Sequence, residues 1–271
     1  MSGRQAFRDA YQEPAGPPDR EGTGRDPGVR GLQTVVLAGG RATRLGALAE
    51  HLPKIMQPVA GRPFLDTLLE PLLASGLRRF HFCLGHLAGP VLRHLRAMAA
   101  PAEITTQVET VPRGTAGALR DGAHHLDEVF LLVLGDTHLP IGYADAATWL
   151  APGDEAVMVV TDAPTGVPPN TVVRDGRVTG YHKADGVRAG EARWTDTGVC
   201  LLRRSALDHL ADRPDPVDLG ELFRLLIRRR TLAAHPIGEP FTDIGTPERY
   251  AEFRARQERC APGKESPCGY C

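Results

Sequence analysis

Asp136 closes the apolar run VFLLVLGD (129–136), and Asp243 stands inside PFTDIGTPERY just before a glycine turn and a helix. A carboxylate at the end of a buried strand faces a cleft, where it can cap the next element or ligate a metal. Two of them suit Mg2+, a hard cation held by one or two carboxylates plus substrate phosphates. Cationic residues have the complementary placement. In TVVLAGGRATRLG (34–46) an apolar run breaks into Gly39-Gly40 and is followed by Arg41, Thr43 and Arg44. Backbone N–H groups of such a turn cradle phosphate oxygens or a base edge. Lysine occurs only at 54, 183 and 264 among 32 basic residues, so Lys54, directly after Pro53, draws notice in a chain that otherwise uses arginine. A lysine is a compact point charge on a flexible stem, suited to reaching a phosphate. Gly114 and Thr115 in ETVPRGTAGALR open a helix of small residues, whose free N–H groups and dipole favour an anion. Taken singly, each feature has a plain alternative: a βα turn with surface arginines, a solvated lysine, an ordinary helix start.

These residues need a frame that brings strand ends together. QTVVLA (33–38), RFHFCLG (79–85), ITTQVE, VFLLVLGD (129–136) and AVMVVTD read as strands. FLDTLLEPLLASG (64–76), LAGPVLRHLRAMAA (87–100) and GTAGALRDGAHHL read as helices between them. This alternation predicts a mostly parallel sheet with helices on both faces, and strands without polar alternation are what a doubly covered sheet requires. Ligands then bind beyond the carboxyl ends of the strands. After about 165 the pattern changes to a hairpin over 170–183 turning at Asp175-Gly176, a strand in TDTGVCLLRR, and helices over 219–229 and 247–257. Neither G-x-x-x-x-G-K-[ST] nor G-x-G-x-x-G occurs, so the Walker loop and the dinucleotide fingerprint are both absent.

The chain of 271 residues is 42% apolar with a formal net charge of -1, which gives a sizeable core and no bulk attraction to nucleic acid or an anionic membrane. No apolar run approaches a membrane span, and the first residues lack the apolar segment of a secretory signal, so a soluble cytoplasmic protein is expected. Residues 1–30 read as a disordered extension and 257–271 as a flexible tail holding Cys260, Cys268 and Cys271. Between them, 31–256 reads as one domain with two lobes, 31–165 and 166–256. Cys83 and Cys200 fall in apolar runs and read as small buried hydrophobes.

Taken together, LAGGRATRL, PKIMQPVAGRPF, VPRGTAGAL, LGDT, GYHK, TDTGVCLL and FTDIGTPERY are similar to the sugar-1-phosphate nucleotidylyltransferase family, in its order and at its usual spacings over roughly 33–253. GTAGAL and the GRPF ending resemble most the guanylyltransferases of mannose 1-phosphate or D-glycero-D-manno-heptose 1-phosphate. The resemblance implies an α/β, Rossmann-like, mostly parallel sheet with a smaller sugar-binding lobe. It implies transfer of a nucleotidyl group from an NTP, GTP favoured, to a sugar 1-phosphate with release of pyrophosphate. By position, Leu37, Ala38, Gly39 and Gly40 would hold the nucleobase and ribose, and Glu109 and Gly114 would lie beside the base. Arg44 would hold the β- and γ-phosphates, Lys54 the α-phosphate, and Asp136 and Asp243 the Mg2+ ion. Lys183 would meet the sugar phosphate, and Thr197 and Gly198 would line the sugar. A homodimer is a candidate assembly. Three positions depart from the family: Ala42 for a glycine, which needs a turn without positive φ there, His182 for a glutamate beside Lys183, and Asp196 in place of the asparagine of Asn-x-Gly. His182 and Asp196 leave room for another acceptor, such as a cyclitol phosphate, and UTP, dTTP or CTP is an alternative donor. The other alternative, a regulatory protein that binds a nucleotide-sugar without turnover, is opposed by the joint presence of Arg44, Lys54, Asp136 and Asp243.

Overall fold

Apolar six-residue runs make the centre of the molecule. A computed structural model describes residues 28–98, 102–182, 191 and 193–259. The strands are Gln33–Ala38 (β1), Pro58–Val59 (β2), Arg62–Pro63 (β3), Arg79–Leu84 (β4), Glu103–Val108 (β5), Val129–Leu134 (β6), Thr137–His138 (β7), Ala156–Thr161 (β8), Thr171–Arg174 (β9), Arg177–Tyr181 (β10), Thr195–Arg203 (β11), Leu232–Ile237 (β12) and Thr242–Asp243 (β13). The helices are Gly28–Gly31 (α1), Phe64–Ala74 (α2), Ala88–Ala97 (α3), Thr115–Asp121 (α4), Leu219–Arg229 (α5) and Pro247–Arg259 (α6). Nine strands form one sheet in the order β5-β4-β1-β6-β11-β8-β12-β10-β9. Only β10 and β11 run against the other seven, so the sheet is mostly parallel.

Side chains alternate across that sheet, yet both faces are covered. Val36, Leu131 and Val133 pack on one face with α2, α3 and α6, through residues such as Leu68, Leu72, Val91 and Phe253. Val35, Leu37, Phe130 and Leu132 pack on the other with α4 and α5, through Leu119, Leu222, Phe223 and Leu226. This is the geometry that makes a strand read as continuously hydrophobic. Burying one such Leu or Val contributes about 1.5–3 kcal/mol. Asp218 fixes where α5 begins, its carboxylate accepting the N–H of Gly220 at 2.8 Å.

Two small pairings outside the main sheet place the candidate residues. β13 pairs antiparallel with β7, with Asp243 opposite Thr137, and the N–H of Ile244 donates to the carbonyl of Asp136 at 3.0 Å. β2 and β3 form a hairpin whose turn residues Ala60 and Gly61 both have positive φ, the backbone of a tight hairpin turn. The side-chain amide of Gln57 donates to the carbonyls of Leu48 and Leu52, which holds the turn carrying Lys54 against the loop before it.

The structure differs from the sequence reading at several points. Ala42 has φ 51, so the glycine-to-alanine departure does not bring a turn free of positive φ: the turn keeps its left-handed residue and the alanine bears the steric cost. β12 was not anticipated, because LAAHPI carries a histidine and a proline and becomes a strand by pairing in parallel with β8. Residues 28–30, assigned to the extension, belong to α1, and Val29 packs against the core. The helix expected over 114–126 stops at Asp121 and gives way to a 3-10 turn, and α6 continues to Arg259. Residues 1–27 and the three tail cysteines lie outside the described residues. Cys83 and Cys200 are buried as expected, and burial pushes the Cys83 thiol up to about 12.

Candidate active site

Beyond the carboxyl end of β1 lie two cavities of about 300 Å3 and 320 Å3 that share Leu37, Gly40 and Thr115 as lining. The first is walled by Gly39, Gly85, Glu109 and Gly114. The second is walled by Ala38, Ala42, Arg44, Lys54 and Asp136. The strand end thus opens onto a cleft with two chemically different halves.

In the first half the backbone approaches closely. A Cβ on Gly39 would stand 3.0 Å from Oε1 of Glu109, and one on Gly85 would stand 2.6 Å from the carbonyl of Gly39 and 2.9 Å from the same Oε1. The missing side chains let the Glu109 carboxylate lie across two strand ends. Glu109 continues the sheet, donating its N–H to the carbonyl of Leu84 at 2.9 Å, while its Oε2 accepts the N–H of Arg113 at 3.4 Å. Burial raises its carboxyl above the ordinary glutamate value, against the lowering effects of the Arg113 N–H and guanidinium. Gly114 has φ 78, and a Cβ there would stand 2.4 Å from the carbonyl of Val217. The helix start that the sequence offered to an anion is satisfied by protein instead. The N–H groups of Ala116 and Gly117 both donate to Val217 O, at 3.1 and 3.0 Å.

In the second half, charge is concentrated. Nζ of Lys54 lies 2.9 Å from Oδ2 of Asp136, with side chains only 16% and 27% exposed. The β7–β13 pairing sets Asp243 beside them. Its Oδ1 accepts the N–H of Gly245 at 2.6 Å and lies 3.0 Å from Nε of Arg249. Burial first, and then the neighbouring Asp136, raise the Asp243 carboxyl above its ordinary value. Arg44 is exposed and lines the cavity, with no ion pair among the described residues.

The remaining candidates lie apart from these walls. Thr197 is fully buried and its hydroxyl donates to the carbonyl of Val159 at 2.9 Å, so its side chain is committed to the protein. Gly198 has φ 79 at an irregularity in the β11–β8 register. Asp196 spans this turn, with Oδ1 accepting the N–H of Gly198 and Oδ2 the hydroxyl of Tyr181. Lys183 lies outside the described residues; His182 just before it is exposed.

The sequence pattern of the nucleotidyl transferase family matches residues 33–171, the stretch from β1 to the start of β9 that carries both halves of this cleft. The chain belongs to that family. As a nucleotidyl transferase it is 25% identical over 233 residues to the mannose-1-phosphate guanyltransferase of Schizosaccharomyces pombe, covering 81% of this chain and 62% of that protein. It is 34% identical over 105 residues to the UTP–glucose-1-phosphate uridylyltransferase AglF of Haloferax volcanii, covering 39% of this chain and 43% of that one. The chain therefore spans less than two thirds of either relative's length. Its fold is shared with HddC from Yersinia pseudotuberculosis, crystallised with GMP-PN, at a TM-score of 0.67 and 22% identity over 83% of this chain and 99% of that one.

Sequence reasoning passed over several residues of the nucleotidyl transferase cleft. Gly85 was read as a strand end, although a glycine closing RFHFCLG offered a signal for close backbone approach. Arg249 and Gly245, which hold Asp243, fall inside the quoted FTDIGTPERY but gave no separate sign. Val217 carries no chemical signature in sequence, since it acts through its carbonyl alone. Among the described residues no group of three or more His, Cys, Asp or Glu side chains is set to hold a metal, and no helix is long and apolar enough to cross a membrane.

Proposed function

We propose that this chain transfers GMP from GTP to the phosphate of a manno- or heptose-type sugar 1-phosphate and releases pyrophosphate. The observation that carries this reading is the two-ended cleft: a single carboxylate at one end, a lysine, an arginine and two aspartates at the other, joined past Gly40. Guanine alone among the bases presents two adjacent donors, N1–H and the 2-amino group, on its pairing edge, and an ionised carboxylate such as Glu109 offers two acceptors. Uracil and thymine place one N–H between two carbonyls, which a carboxylate repels. Family membership leaves the base open, as the uridylyltransferase relative illustrates; Glu109 is what favours guanine.

The residues present also fit a magnesium ion. Asp136 and Asp243 are hard oxygen donors set near each other by β7 and β13, and burial together with the neighbouring Asp136 raises the Asp243 carboxyl. Two protein carboxylates with phosphate oxygens completing the shell is the usual arrangement for this ion. When bound, Mg2+ would neutralise charge on the triphosphate. The acceptor phosphate already carries an anionic oxygen, so the reaction needs no general base. That oxygen forms its bond to the α-phosphorus as the bond to pyrophosphate breaks on the opposite side. The protein contributes position and positive charge. In this reading Lys54 leaves Asp136 for the α-phosphate, Arg44 holds the leaving β- and γ-phosphates, and Lys183 meets the acceptor phosphate.

The test is pyrophosphate release by purified protein with Mg2+, trying GTP, UTP, CTP, dTTP and ATP against mannose, heptose, glucose and cyclitol 1-phosphates. Release with GTP and a manno or heptose acceptor, abolished by EDTA, is the expected result. Turnover with another base overturns the guanine assignment. Silence across the panel, with a nucleotide-sugar still binding, replaces the enzyme by a regulatory protein.

A further inference from the structure

The loop that carries the base-facing carboxylate is held from outside the cleft. Residues 109–114 have no regular structure, and Val111 within them is 60% exposed. Glu109 opens this loop and Arg113 closes it, and the Arg113 N–H is the one hydrogen bond the Glu109 side chain receives among the described residues. Position of the carboxylate therefore depends on where Arg113 is held.

Arg113 is held by the second half of the chain. Its Nη1 donates to Oδ2 of Asp215 at 2.6 Å, and its carbonyl accepts the N–H of Val217 at 2.8 Å. Oδ1 of Asp215 accepts from Nη2 of Arg120 at 2.7 Å, and Nη1 of Arg120 donates to the carbonyls of Leu210 and Arg213. Asp215 thus clamps both ends of one short unit, the arginine that closes the base loop and the arginine in the last turn of α4. Around it Leu219 donates its N–H to the hydroxyl of Thr115 at 2.9 Å, and Thr115 lines both cavities. Asp215 itself lines neither cavity. Arg113 is shared between Asp215 and, through Nε at 3.3 Å, Asp121, while Arg120 is committed to Asp215 and two backbone carbonyls, an arrangement suited to fixing geometry because guanidinium forks bind with defined directions.

We propose that Asp215 is a positioning residue for nucleobase recognition: through Arg113 it fixes the loop that aims Glu109, so the half of the chain assigned to the acceptor also sets base selectivity. This rests on the guanine reading above.

The experiment compares GTP with inosine 5′-triphosphate, which lacks the 2-amino group, in the wild type and in D215N, D215E, R113M and E109Q. D215N keeps the shape of the side chain and removes its charge. It is expected to raise KM for GTP about tenfold, within the range that remote misplacement of a binding group produces, with kcat little changed. Its preference for GTP over the inosine nucleotide should fall towards that of E109Q, and D215E should restore part of it. A purely structural role would lower stability without moving that preference. Wild-type KM and preference in D215N overturn the proposal. Should D215N fail to fold, R113M removes only the exposed arm and decides the same point: retained preference overturns, lost preference supports. Failure of the guanine reading looks different. The wild type would then not distinguish the two nucleotides and E109Q would change nothing, while KM of D215N for whichever triphosphate the wild type uses still decides whether Asp215 positions the loop.

Discussion

Around Lys54, Asp136 and Asp243 the cleft is made of charged side chains held by ion pairs, whereas around Glu109 it is made of Gly39, Gly85 and Gly114, whose value lies in what they lack. The first region can act on charge that moves during a reaction. The second shapes a space and presents the Glu109 carboxylate to it, beside Arg41 and His86. Changes in the first should therefore appear in kcat, where interactions stronger in the transition state are felt, and changes in the second in KM.

The hardest blow to this contrast would come from the charged end. K54A and D136A are each expected to lower kcat by roughly a hundredfold or more, since removing one preorganised contact to developing charge costs about 3–4 kcal/mol. Circular dichroism should report an intact fold. Near-normal turnover in either variant removes that residue from the mechanism. At the glycine end, G85A inserts a methyl 2.6 Å from the Gly39 carbonyl and 2.9 Å from the Glu109 carboxylate. Overpacking of this kind typically costs about 1–3 kcal/mol. It should emerge mainly as a higher KM for the triphosphate, so a loss confined to kcat would dissolve the contrast.

Protonation sharpens the comparison further. In the guanine reading the ionised Glu109 is the form that would accept the donors of the base, and its pKa lies above the ordinary value because of burial. KM for GTP should accordingly rise as pH falls through that raised value, by up to about tenfold for each unit below it. E109Q should lack this dependence, and a wild-type profile matching E109Q would detach the carboxylate from binding. The smallest effect belongs to the turn between the two ends. Replacing Ala42, at φ 51, by glycine relieves roughly 1 kcal/mol of left-handed strain and gives back about 0.5 kcal/mol through a looser unfolded chain. Thermal unfolding should shift upward by about 1–2 °C, and a downward shift would show that the alanine methyl packs favourably in the turn.

The charged end was easier to find in sequence than the glycine end. Asp136 closes an apolar run, Asp243 stands just before a glycine turn and Lys54 is one of three lysines among 32 basic residues, and together these suggested a cation and phosphates. β1 and α5 were readable to the residue because an unbroken apolar run and an N-capping Asp218 are local signals. What escaped depends on partners far away in the chain. Asp215 meets Arg113 across 102 positions, and Val217 caps α4 through a carbonyl that every residue possesses. β12 exists because β8 lies beside it, which no propensity of LAAHPI announces. The left-handed Ala42 was misjudged for a similar reason: the turn geometry is imposed by what flanks it, and the residue tolerates it.

The position of β11 has a consequence for how the molecule comes into being. It lies between β6 and β8, although it follows both in the chain, and β12 covers the other side of β8 later still. While the protein is being synthesised, Val129–Leu134 offers an unpaired edge of purely apolar residues until Thr195–Arg203 has emerged. Such an edge is a template for association with other chains. A fragment ending near residue 165 would carry every residue that lines the two cavities and yet leave β6 and β8 without their shared neighbour, so this part of the sheet depends on β11 to close its apolar edge.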